Sequence, residues 1–345
     1  MKTSDFDYDL PSELIAQEPP AERTDARMMV LDRRTGAFSD HTVRELPDFL
    51  RAGDLLVMNE TRVIPARLFG RRVDTGGRVE VLLVEEREPQ LWEAMYRAAG
   101  RPRPALGLEF EGVGPACVEG VDRGRVLLRF PAGTPVSELI EAHGSVPLPP
   151  YIRREPGAAT SAADRDRYQT VYARHSGAIA APTAGLHFTE GLLEACERRG
   201  VTRTAVTLHV GPGTFKPVAC DDVGEHEMES ERYVIGESAA RCINGVDRAS
   251  GRIVAVGTTT VRACESAALQ TGRVEAGSGR TSLFIRPPFP FRVTDGLLTN
   301  FHLPKSTLPM LVSALAGRER VMAAYRAAVA RRYRFYSYGD CMLVL

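Results

Sequence analysis

The feature that most limits what this chain can fold into is a change of pattern along its length. Between about residues 66 and 146, short apolar runs rich in β-branched residues are separated by Gly, Pro and Asp. The runs are VEVLLVEE, QLWEAMYRA, LGLEFEG, GPACVEGVD and RVLLRF. Short strands at such even spacing predict a small barrel or sandwich.

After about residue 168, apolar runs alternate with helical patterns. AIAAPTAG and TAVTLHV are read as strands on either side of a helix, GLLEACERRG, which begins after Thr189 and ends at Gly200. This β-α-β order predicts a parallel strand pair. RIVAVG followed by TTTVRACESAALQTG repeats the pattern. STLPMLVSALAG and residues 318–332 predict two more helices, and CMLVL predicts a terminal strand.

The N-terminal segment contains one clear strand signal, the buried run Leu55 to Met58, which Pro65 follows. The rest of this segment has no obvious fold of its own, so we expect it to pair with the later sheet. The predicted fold class is α/β, with a mainly parallel sheet, helices and an inserted all-β barrel-like domain. We predict an α/β catalytic domain at 1–64 and 151–345 and the barrel domain at 65–150.

Composition and charge exclude several classes of protein. Among 345 residues, 44 basic side chains balance 44 acidic ones, so any nucleic-acid partner must be met by a local patch. No apolar run approaches the roughly 18 residues of a membrane span, and the acidic N-terminus is unlike a signal peptide. We therefore expect a cytoplasmic protein without a membrane partner. The six cysteines lie too far apart for CxxC motifs, which disfavours zinc knuckles and CxxC redox chemistry and favours buried reduced thiols.

Four segments that follow predicted strands, here called strand exits, contain the same kinds of residue. They are PTAGLH at 182–187, LHVGPGTFK at 208–216, GTTTVR at 257–262 and TNFHLPKS at 299–306. Each combines small residues with hydroxyls and often an imidazole or a cation. Ligands of open α/β sheets bind at the carboxyl ends of strands, where helix N-termini offer N–H donors. The exits therefore predict a ligand site, although turn and cap roles for Gly and Thr would explain any single exit.

Three of these exits carry a histidine, namely His187, His209 and His302. Imidazole titrates near neutral pH and suits proton transfer, whereas a lone histidine is commonly a hydrogen-bonded structural residue. No carboxylate or cysteine accompanies them at ligand spacing, so we predict no metal site. The chain lacks G-x-G-x-x-G, G-x-x-x-x-G-K-[ST] and G-x-S-x-G, which argues against dinucleotide, P-loop and α/β-hydrolase chemistry.

The C-terminal part combines arginines with aromatic residues. The arginines are Arg318, Arg320, Arg326, Arg331, Arg332 and Arg334, and the aromatic residues are Tyr333, Phe335, Tyr336 and Tyr338. Arginines for phosphates and aromatic rings for stacking fit single-stranded or looped RNA. The alternative interpretation is a solvated helix face followed by a core strand.

Long motifs resemble the S-adenosylmethionine:tRNA ribosyltransferase-isomerase family of queuosine biosynthesis. They are DFDYDLPSELIAQ, GDLLVMNETRVIPARLFG, VPLPPYI, DRYQTVYA, APTAGLHFT, LHVGPGTFKPV, AVGTTTVRACESA, LLTNFHLPKSTLPMLVSALAGRE and YRFYSYGDCMLV. The match covers nearly the whole chain and keeps the order of the motifs. The resemblance implies an α/β domain joined to an inserted β-barrel.

The resemblance also implies a reaction. S-adenosylmethionine donates its ribosyl group to 7-aminomethyl-7-deazaguanine at the wobble position of the tRNA anticodon arm. The product is epoxyqueuosine, with adenine and methionine released. The donor is a co-substrate, so no permanently bound cofactor is expected, and we expect a monomer.

The chemistry needs a base for a C5′ proton beside the sulfonium and a proton donor for departing adenine. His187, His209 and His302 can fill these roles, and the sequence does not rank them. Donor contacts are expected from Arg62 or Arg262 at the methionine carboxylate, and from Thr183, Gly185, Phe215, Thr258 and Thr259. Contacts to the substrate or RNA are expected from Lys216, Lys305, Arg331, Arg332 and Tyr336.

Three positions depart from the family pattern. Glu229 replaces a usual histidine, Glu60 replaces an asparagine, and Pro212 replaces a leucine between two glycines. The acidic changes would weaken phosphate binding if they faced RNA. Two alternatives therefore remain: a paralogue that uses the same donor chemistry on a small acceptor such as a free deazaguanine, and a non-catalytic tRNA-binding module.

Overall fold

A computed structural model describes residues 1–122, 124–154, 161–215 and 218–345. The chain divides into two compact units. The first comprises Met1–Thr61, Gln169–His175 and Ala181–Leu345, and the second comprises Arg62–Tyr168 and Ser176–Ala180. The insertion predicted at 65–150 falls within the second unit, which also includes residues 62–64, 151–168 and 176–180 that the prediction placed in the α/β domain.

The elements are numbered in chain order. The strands are β1 (Arg27–Leu31), β2 (Phe38–Thr42), β3 (Leu55–Asn59), β4 (Thr61–Val63), β5 (Arg67–Arg72), β6 (Arg78–Glu88), β7 (Leu91–Ala98), β8 (Gly107–Phe110), β9 (Gly114–Asp122), β10 (Arg125–Arg129), β11 (His175–Ala178), β12 (Thr202–Leu208), β13 (Glu231–Ile235), β14 (Ile253–Val256), β15 (Gly277–Thr281), β16 (Gly296–Asn300) and β17 (Cys341–Val344). The α-helices are α1 (Leu46–Phe49), α2 (Val136–His143), α3 (Ala162–Arg167), α4 (Glu190–Arg198), α5 (Glu237–Asn244), α6 (Thr258–Ala268), α7 (Thr307–Ala316) and α8 (Arg318–Ala330). The 3₁₀ turns are η1 (Thr3–Phe6), η2 (Ser12–Leu14), η3 (Arg23–Asp25), η4 (Val43–Glu45), η5 (Thr183–His187), η6 (Pro212–Phe215) and η7 (Val223–Glu225).

The first unit is built on a 9-stranded sheet in the order β15-β13-β12-β3-β14-β16-β17-β1-β2. Its centre, β12-β3-β14-β16, is parallel, as is the pair β17-β1. The other neighbours are antiparallel, so the sheet is mixed with a parallel centre. The predicted fold class is confirmed, and the N-terminal segment does pair with this sheet through β1, β2 and β3.

The helices predicted after strand exits are confirmed as α4, α6, α7 and α8. The strand predicted from AIAAPTAG is wrong, because β11 ends at Ala178 and pairs with β4 in a separate two-stranded sheet. Pro182 has no N–H for a sheet ladder, and Ile179 packs into the core of the barrel unit instead. The predicted parallel pair with β12 is therefore also wrong, since β12 pairs in parallel with β3.

The second unit contains a closed barrel in the order β10-β7-β6-β5-β8-β9. The five apolar runs of the sequence correspond to β6 through β10, and β5 completes the barrel. Alternate side chains such as Leu68, Val81, Phe110 and Phe130 are buried and fill its interior. Closure leaves no unpaired strand edge to attract other chains.

Both faces of the large sheet are covered by apolar layers. On β16, Leu297 packs in a core with residues of α7 and α8, whereas Leu298 packs in a second core with residues of α4. Because side chains alternate along a strand, Thr299 and Asn300 continue onto these two opposite faces. Thr299 can therefore contact residues on the α7 and α8 face, whereas Asn300 can contact residues on the α4 face. No helix in the described ranges is long and apolar enough to cross a membrane.

Candidate active site

The four central parallel strands end at one edge of the sheet. The last residues of β3, β12, β14 and β16 are Asn59, Leu208, Val256 and Asn300. The loops that leave these strands carry three of the four exits singled out in the sequence, and η5 supplies the fourth. The carboxyl edge is where an open parallel sheet binds ligands, so this edge is the candidate site.

Asn59 at the end of β3 is fully buried and links this strand to β12 and α6. Its Nδ2 donates to the Leu208 carbonyl at 3.0 Å and to Thr259 Oγ1 at 3.1 Å. Its Oδ1 accepts from the Leu208 N–H at 3.0 Å and the Thr61 N–H at 3.2 Å. Sequence reasoning did not select this residue for a role, although a polar residue directly after a buried strand was a usable signal.

The N-terminus of α6 faces the same edge. Gly257 caps the helix with a φ of 89°, a conformation that favours glycine. Thr258 and Thr259 open the first turn and are buried. Thr260 Oγ1 donates to the Val256 carbonyl at 2.7 Å and so points back into the strand. The first N–H groups of this helix and the Thr258 hydroxyl can receive an anionic or hydroxyl-bearing ligand.

The η5 turn begins at the half-buried Thr183 and ends at His187. A Cβ at Gly185 would lie 2.2 Å from the Tyr172 hydroxyl oxygen, so only glycine fits there. Arg23 supports the turn by donating from Nη1 to the Leu186 carbonyl at 2.9 Å. The space beside Gly185, where the sequence predicts a donor contact, is therefore filled by side chains of this same unit.

His187 is buried, and its Nε2 has no hydrogen-bond partner among the described residues. Burial lowers the pKa of His187 to about 4, helped by the charges of Arg334 and Arg23 and opposed by the neighbouring side chain of Asn300. The imidazole is therefore neutral at neutral pH. An unpartnered buried nitrogen on a candidate catalytic histidine marks it as available for chemistry.

His302 lies in a different setting, on the α7 and α8 face of the sheet. Its Nδ1 is 2.9 Å from the Tyr325 hydroxyl and its Nε2 is 3.1 Å from Thr299 Oγ1. Burial lowers the pKa of His302 to about 3. Both ring nitrogens are thus occupied by side chains of the same chain, as in a structural histidine.

His209 is half-buried at the end of β12. Its Nδ1 is 2.9 Å from Thr61 Oγ1, and its backbone N–H donates to the Arg232 carbonyl at 2.9 Å. Thr61 in turn is held through its N–H by Asn59. His209 is therefore oriented by the network that also contacts α6.

Arg262 is buried one turn inside α6 and pairs with the buried Glu231. It also donates from Nε to the Leu283 carbonyl at 3.1 Å. Glu231 Oε1 accepts from the Gly211 N–H at 2.9 Å, so the pair ties the helix to the GPG turn. Sequence reasoning selected the arginine but did not select its acidic partner.

Among the remaining candidate cations that the structure describes, three contact carboxylates and one is exposed. Arg62 belongs to the barrel unit and contacts Glu141 at 3.0 Å. Lys305 Nζ lies 2.8 Å from Asp7 Oδ2, and Arg331 contacts Asp40 at 2.7 Å. Arg332 is exposed, whereas Tyr336 is half-buried and donates its backbone N–H to the Phe301 carbonyl at 3.0 Å. Lys216 and the Phe215 side chain lie outside the described residues.

Two of the departures from the family pattern have local contacts. Glu60 Oε1 lies 3.5 Å from His175 Nε2. Glu229 packs against the GPG turn, where a Cβ on Gly213 would meet the Glu229 Cβ at 3.0 Å. Pro212 begins η6.

No group of three or more His, Cys, Asp or Glu side chains in the described ranges could hold a metal ion. The candidate site therefore consists of hydroxyls, amides, imidazoles and helix N–H groups. Such a set suits a polar organic ligand, and the carboxyl edge of an α/β sheet is where ligands of this fold bind. The fold and this edge define the class as an α/β enzyme scaffold with a separate β-barrel unit.

Comparison with known proteins gives the family. A sequence model described as queuosine biosynthesis protein matches residues 3–344. Curated proteins named S-adenosylmethionine:tRNA ribosyltransferase-isomerase from Syntrophotalea carbinolica and Symbiobacterium thermophilum are 49% and 50% identical, over 100% of both chains in each case. The crystal structure of S-adenosylmethionine tRNA ribosyltransferase from Thermotoga maritima is 38% identical, with a TM-score of 0.57 over 99% of this chain and 100% of that one. The chain belongs to the queuosine biosynthesis protein family.

Proposed function

We propose that this chain is an S-adenosylmethionine-dependent tRNA ribosyltransferase-isomerase. It transfers and isomerises the ribosyl group of the donor onto 7-aminomethyl-7-deazaguanine at the wobble position of tRNA. The observation that carries the proposal is the full-length identity of 49–50% to curated enzymes of that name. In this proposal the protein acts as a monomer and holds no resident cofactor.

The donor binds at the carboxyl edge of the sheet. Its methionine carboxylate lies at the α6 N-terminus, where Thr258 and the first backbone N–H groups are the contacts. Thr183 and Thr259 are the proposed hydroxyl contacts to the ribose. Arg262 supports this arrangement indirectly, because its guanidinium is already paired with Glu231. Contacts of Arg62 and Phe215 with the donor stay predictions.

Proton transfer is assigned first to His187. The sulfonium acidifies the neighbouring C5′ protons, and a neutral imidazole can accept one of them. Adenine then leaves with a proton, the neutral acceptor amine bonds to the ribose, and methionine departs as the epoxide closes. His187 is neutral at neutral pH because burial lowers its pKa to about 4. His209 is the second candidate, since Thr61 orients its ring.

tRNA contacts are assigned to four of the remaining cations and to Tyr336. Lys305 is half exposed, and Arg332 is exposed at the end of α8. Such side chains suit phosphate contacts, which position RNA without reading its sequence. Arg331, Tyr336 and Lys216 complete the proposed set.

The test is adenine release from the donor, measured by liquid chromatography with two acceptors, modified tRNA and the free deazaguanine. The proposal predicts release only with tRNA that carries 7-aminomethyl-7-deazaguanine. Release with the free deazaguanine alone would identify a paralogue with a small acceptor. Binding of tRNA without release under any condition would identify a binding module. His302→Gln is the matched control for His187→Gln, because both histidines are buried.

A further inference from the structure

The antiparallel barrel strands β5, β6 and β7 carry arginines at both ends, and the two ends differ in how these side chains are paired. At the end with the turn between β6 and β7, Arg87 contacts Glu85 at 2.9 Å, and Arg129 on β10 contacts Glu88 at 3.4 Å. Because the strands are antiparallel, the opposite end combines the end of β5, the start of β6 and the end of β7. The arginines at that opposite end lack such glutamate partners.

Four exposed arginines at the opposite end form no ion pair within the described residues. They are Arg71, Arg78, Arg97 and Arg101, here called the basic end of the barrel. Arg71 and Arg78 lie directly opposite each other on β5 and β6. Arg97 lies opposite Glu80, two positions along β6 from Arg78, so Arg97 and Arg78 are diagonal neighbours on the outer face of the barrel.

The backbone that carries the basic end is held by a neighbouring ion-pair cluster. Asp74, in the turn between β5 and β6, accepts from Arg72 Nη2 at 2.9 Å and from Arg103 Nη2 at 3.1 Å. The Arg72 guanidinium also packs against Gly100, where a Cβ would lie 2.2 Å from Nη1. These contacts join the turn to the connection between β7 and β8. They order both segments and leave the side chains of the basic end without a carboxylate.

The local charge at this end is strongly positive. Residues 67–80 and 97–109 contain seven arginines and three acids. Two of the acids are Glu80, which contacts Arg67 at 3.4 Å, and Glu109, which lies opposite Arg71 on β8. Like charges directly opposite each other on neighbouring strands are unfavourable, so the pair Arg71 and Arg78 calls for an anion. In a chain with no net charge, such a local patch is what a polyanion can recognise.

We propose that the basic end of the barrel binds the phosphate backbone of tRNA. Guanidinium groups match phosphate oxygens in geometry and charge, and such contacts position RNA without reading its sequence. This surface belongs to the barrel unit, whereas Lys305, Arg331 and Arg332 belong to the first unit. The choice of tRNA as the polyanion rests on the proposed function.

Chemical modification of arginine tests the surface without any variant. Phenylglyoxal reacts with accessible guanidinium groups, and mass spectrometry of peptides measures the extent of reaction at each arginine. Saturating tRNA should slow the modification of Arg78, Arg97 and Arg101 severalfold. Arg198 and Arg241, which are exposed on helices of the first unit, should react equally with and without tRNA. Equal reaction of all five arginines under both conditions would overturn the inference.

Salt-dependent tRNA binding tests the same surface by substitution. The double variant Arg78→Gln/Arg97→Gln should reduce the slope of log K against log salt by about two, one for each lost phosphate contact. Binding at low salt should weaken by about 10-fold. The loss should be the same for tRNA with and without 7-aminomethyl-7-deazaguanine, because phosphate contacts do not read the base. With modified tRNA, KM should rise while kcat stays within about threefold.

Two further double variants are the controls. Arg198→Gln/Arg241→Gln changes the net charge by the same amount at a distance from the basic end, so its slope should match that of the original protein. Arg78→Lys/Arg97→Lys keeps both charges and should retain the slope. Urea midpoints verify that each variant is folded. Equal slopes for Arg78→Gln/Arg97→Gln and Arg198→Gln/Arg241→Gln would contradict the inference.

The two proposals fail separately. If tRNA protects the basic end but no acceptor supports adenine release, the proposed function is wrong and the RNA-binding surface stands. If modified tRNA supports adenine release while the basic end reacts equally with and without tRNA, the proposed function stands and the surface is wrong.

Discussion

Two regions on opposite faces of the large sheet each bury a histidine, and the two histidines differ in the hydrogen bonds of their ring nitrogens. His302 is buried beneath α8, beside an aromatic cluster in which the ring centroids of Phe301 and Tyr325 are 5.3 Å apart. Both ring nitrogens of His302 have side-chain partners. His187 sits in η5 with Nε2 unpartnered. Burial lowers the pKa of both histidines. Burial and a low pKa are common to both histidines, so the proposed catalytic role of His187 rests on the one feature that differs, its ring nitrogen without a partner.

The largest expected effect is on catalysis. His187→Ala should lower adenine release by about 10²–10⁴-fold, because the variant loses the proposed proton acceptor. Single-turnover assays with modified tRNA measure it. Activity within threefold of the unmodified protein, at unchanged secondary structure, would remove His187 from the mechanism.

The second effect is on stability. His302→Ala should lower the free energy of unfolding by about 2–4 kcal/mol, because it opens a cavity and leaves the Tyr325 and Thr299 hydroxyls without partners. Urea titration measures this loss. Adenine release per folded molecule should stay within about threefold. A large catalytic defect in folded His302→Ala would reverse the assignment of the two regions.

The third effect is a pH dependence of stability. Both histidines have a folded-state pKa below the usual value of about 6.5, so the unfolded chain binds more protons. Their contribution to stability is complete above about pH 6.5 and is lost as pH falls toward 4 for His187 and 3 for His302.

Between about pH 6 and 5, each histidine should make the free energy of unfolding fall by about 1 kcal/mol per pH unit. Replacing either histidine with Gln should reduce this slope by about 1 kcal/mol per pH unit, which is the effect of one proton fewer bound on unfolding. The measurement is urea unfolding at a series of pH values, with His175→Gln as a control because that ring is exposed. Equal slopes in all variants would show that neither buried ring stays neutral in the folded state.

The smallest effect concerns RNA. Arg332→Gln should weaken tRNA binding severalfold and reduce the slope of log K against log salt by about one, the effect of one lost phosphate contact. Arg241→Gln on α5 is the control, since that side chain is also strongly exposed. Filter binding over a range of salt concentrations measures both. Equal slopes for the two variants would exclude Arg332 from the RNA-binding surface.

Much of the fold followed from local sequence patterns. Strand periodicity identified β6 through β10, and the Thr189 cap, with its hydroxyl accepting the Leu192 N–H at 3.2 Å, marks the start of α4. The strand expected from AIAAPTAG failed because apolar character alone does not say which core a segment enters. Ile179 enters the core of the barrel unit.

The site was predictable only in outline. Glycine, threonine and histidine at strand exits indicated the edge, because turns and helix starts have local signals. The sequence did not single out Asn59, Glu231 and Asn300, because their contacts are with residues distant in the sequence. These partners are Leu208, Arg262 and Tyr336, respectively. One sequence does not reveal such pairings, and so it did not separate His187 from His302.

The most direct test of the central claim follows the sugar itself. Modified tRNA is incubated with the protein and S-adenosylmethionine that carries carbon-13 in its ribose, and the nucleosides are then analysed by mass spectrometry. The account predicts that the labelled ribosyl carbons appear on the wobble nucleoside, together with one free adenine per event. Transfer of the donor methyl group, or unlabelled tRNA beside intact donor, would contradict it.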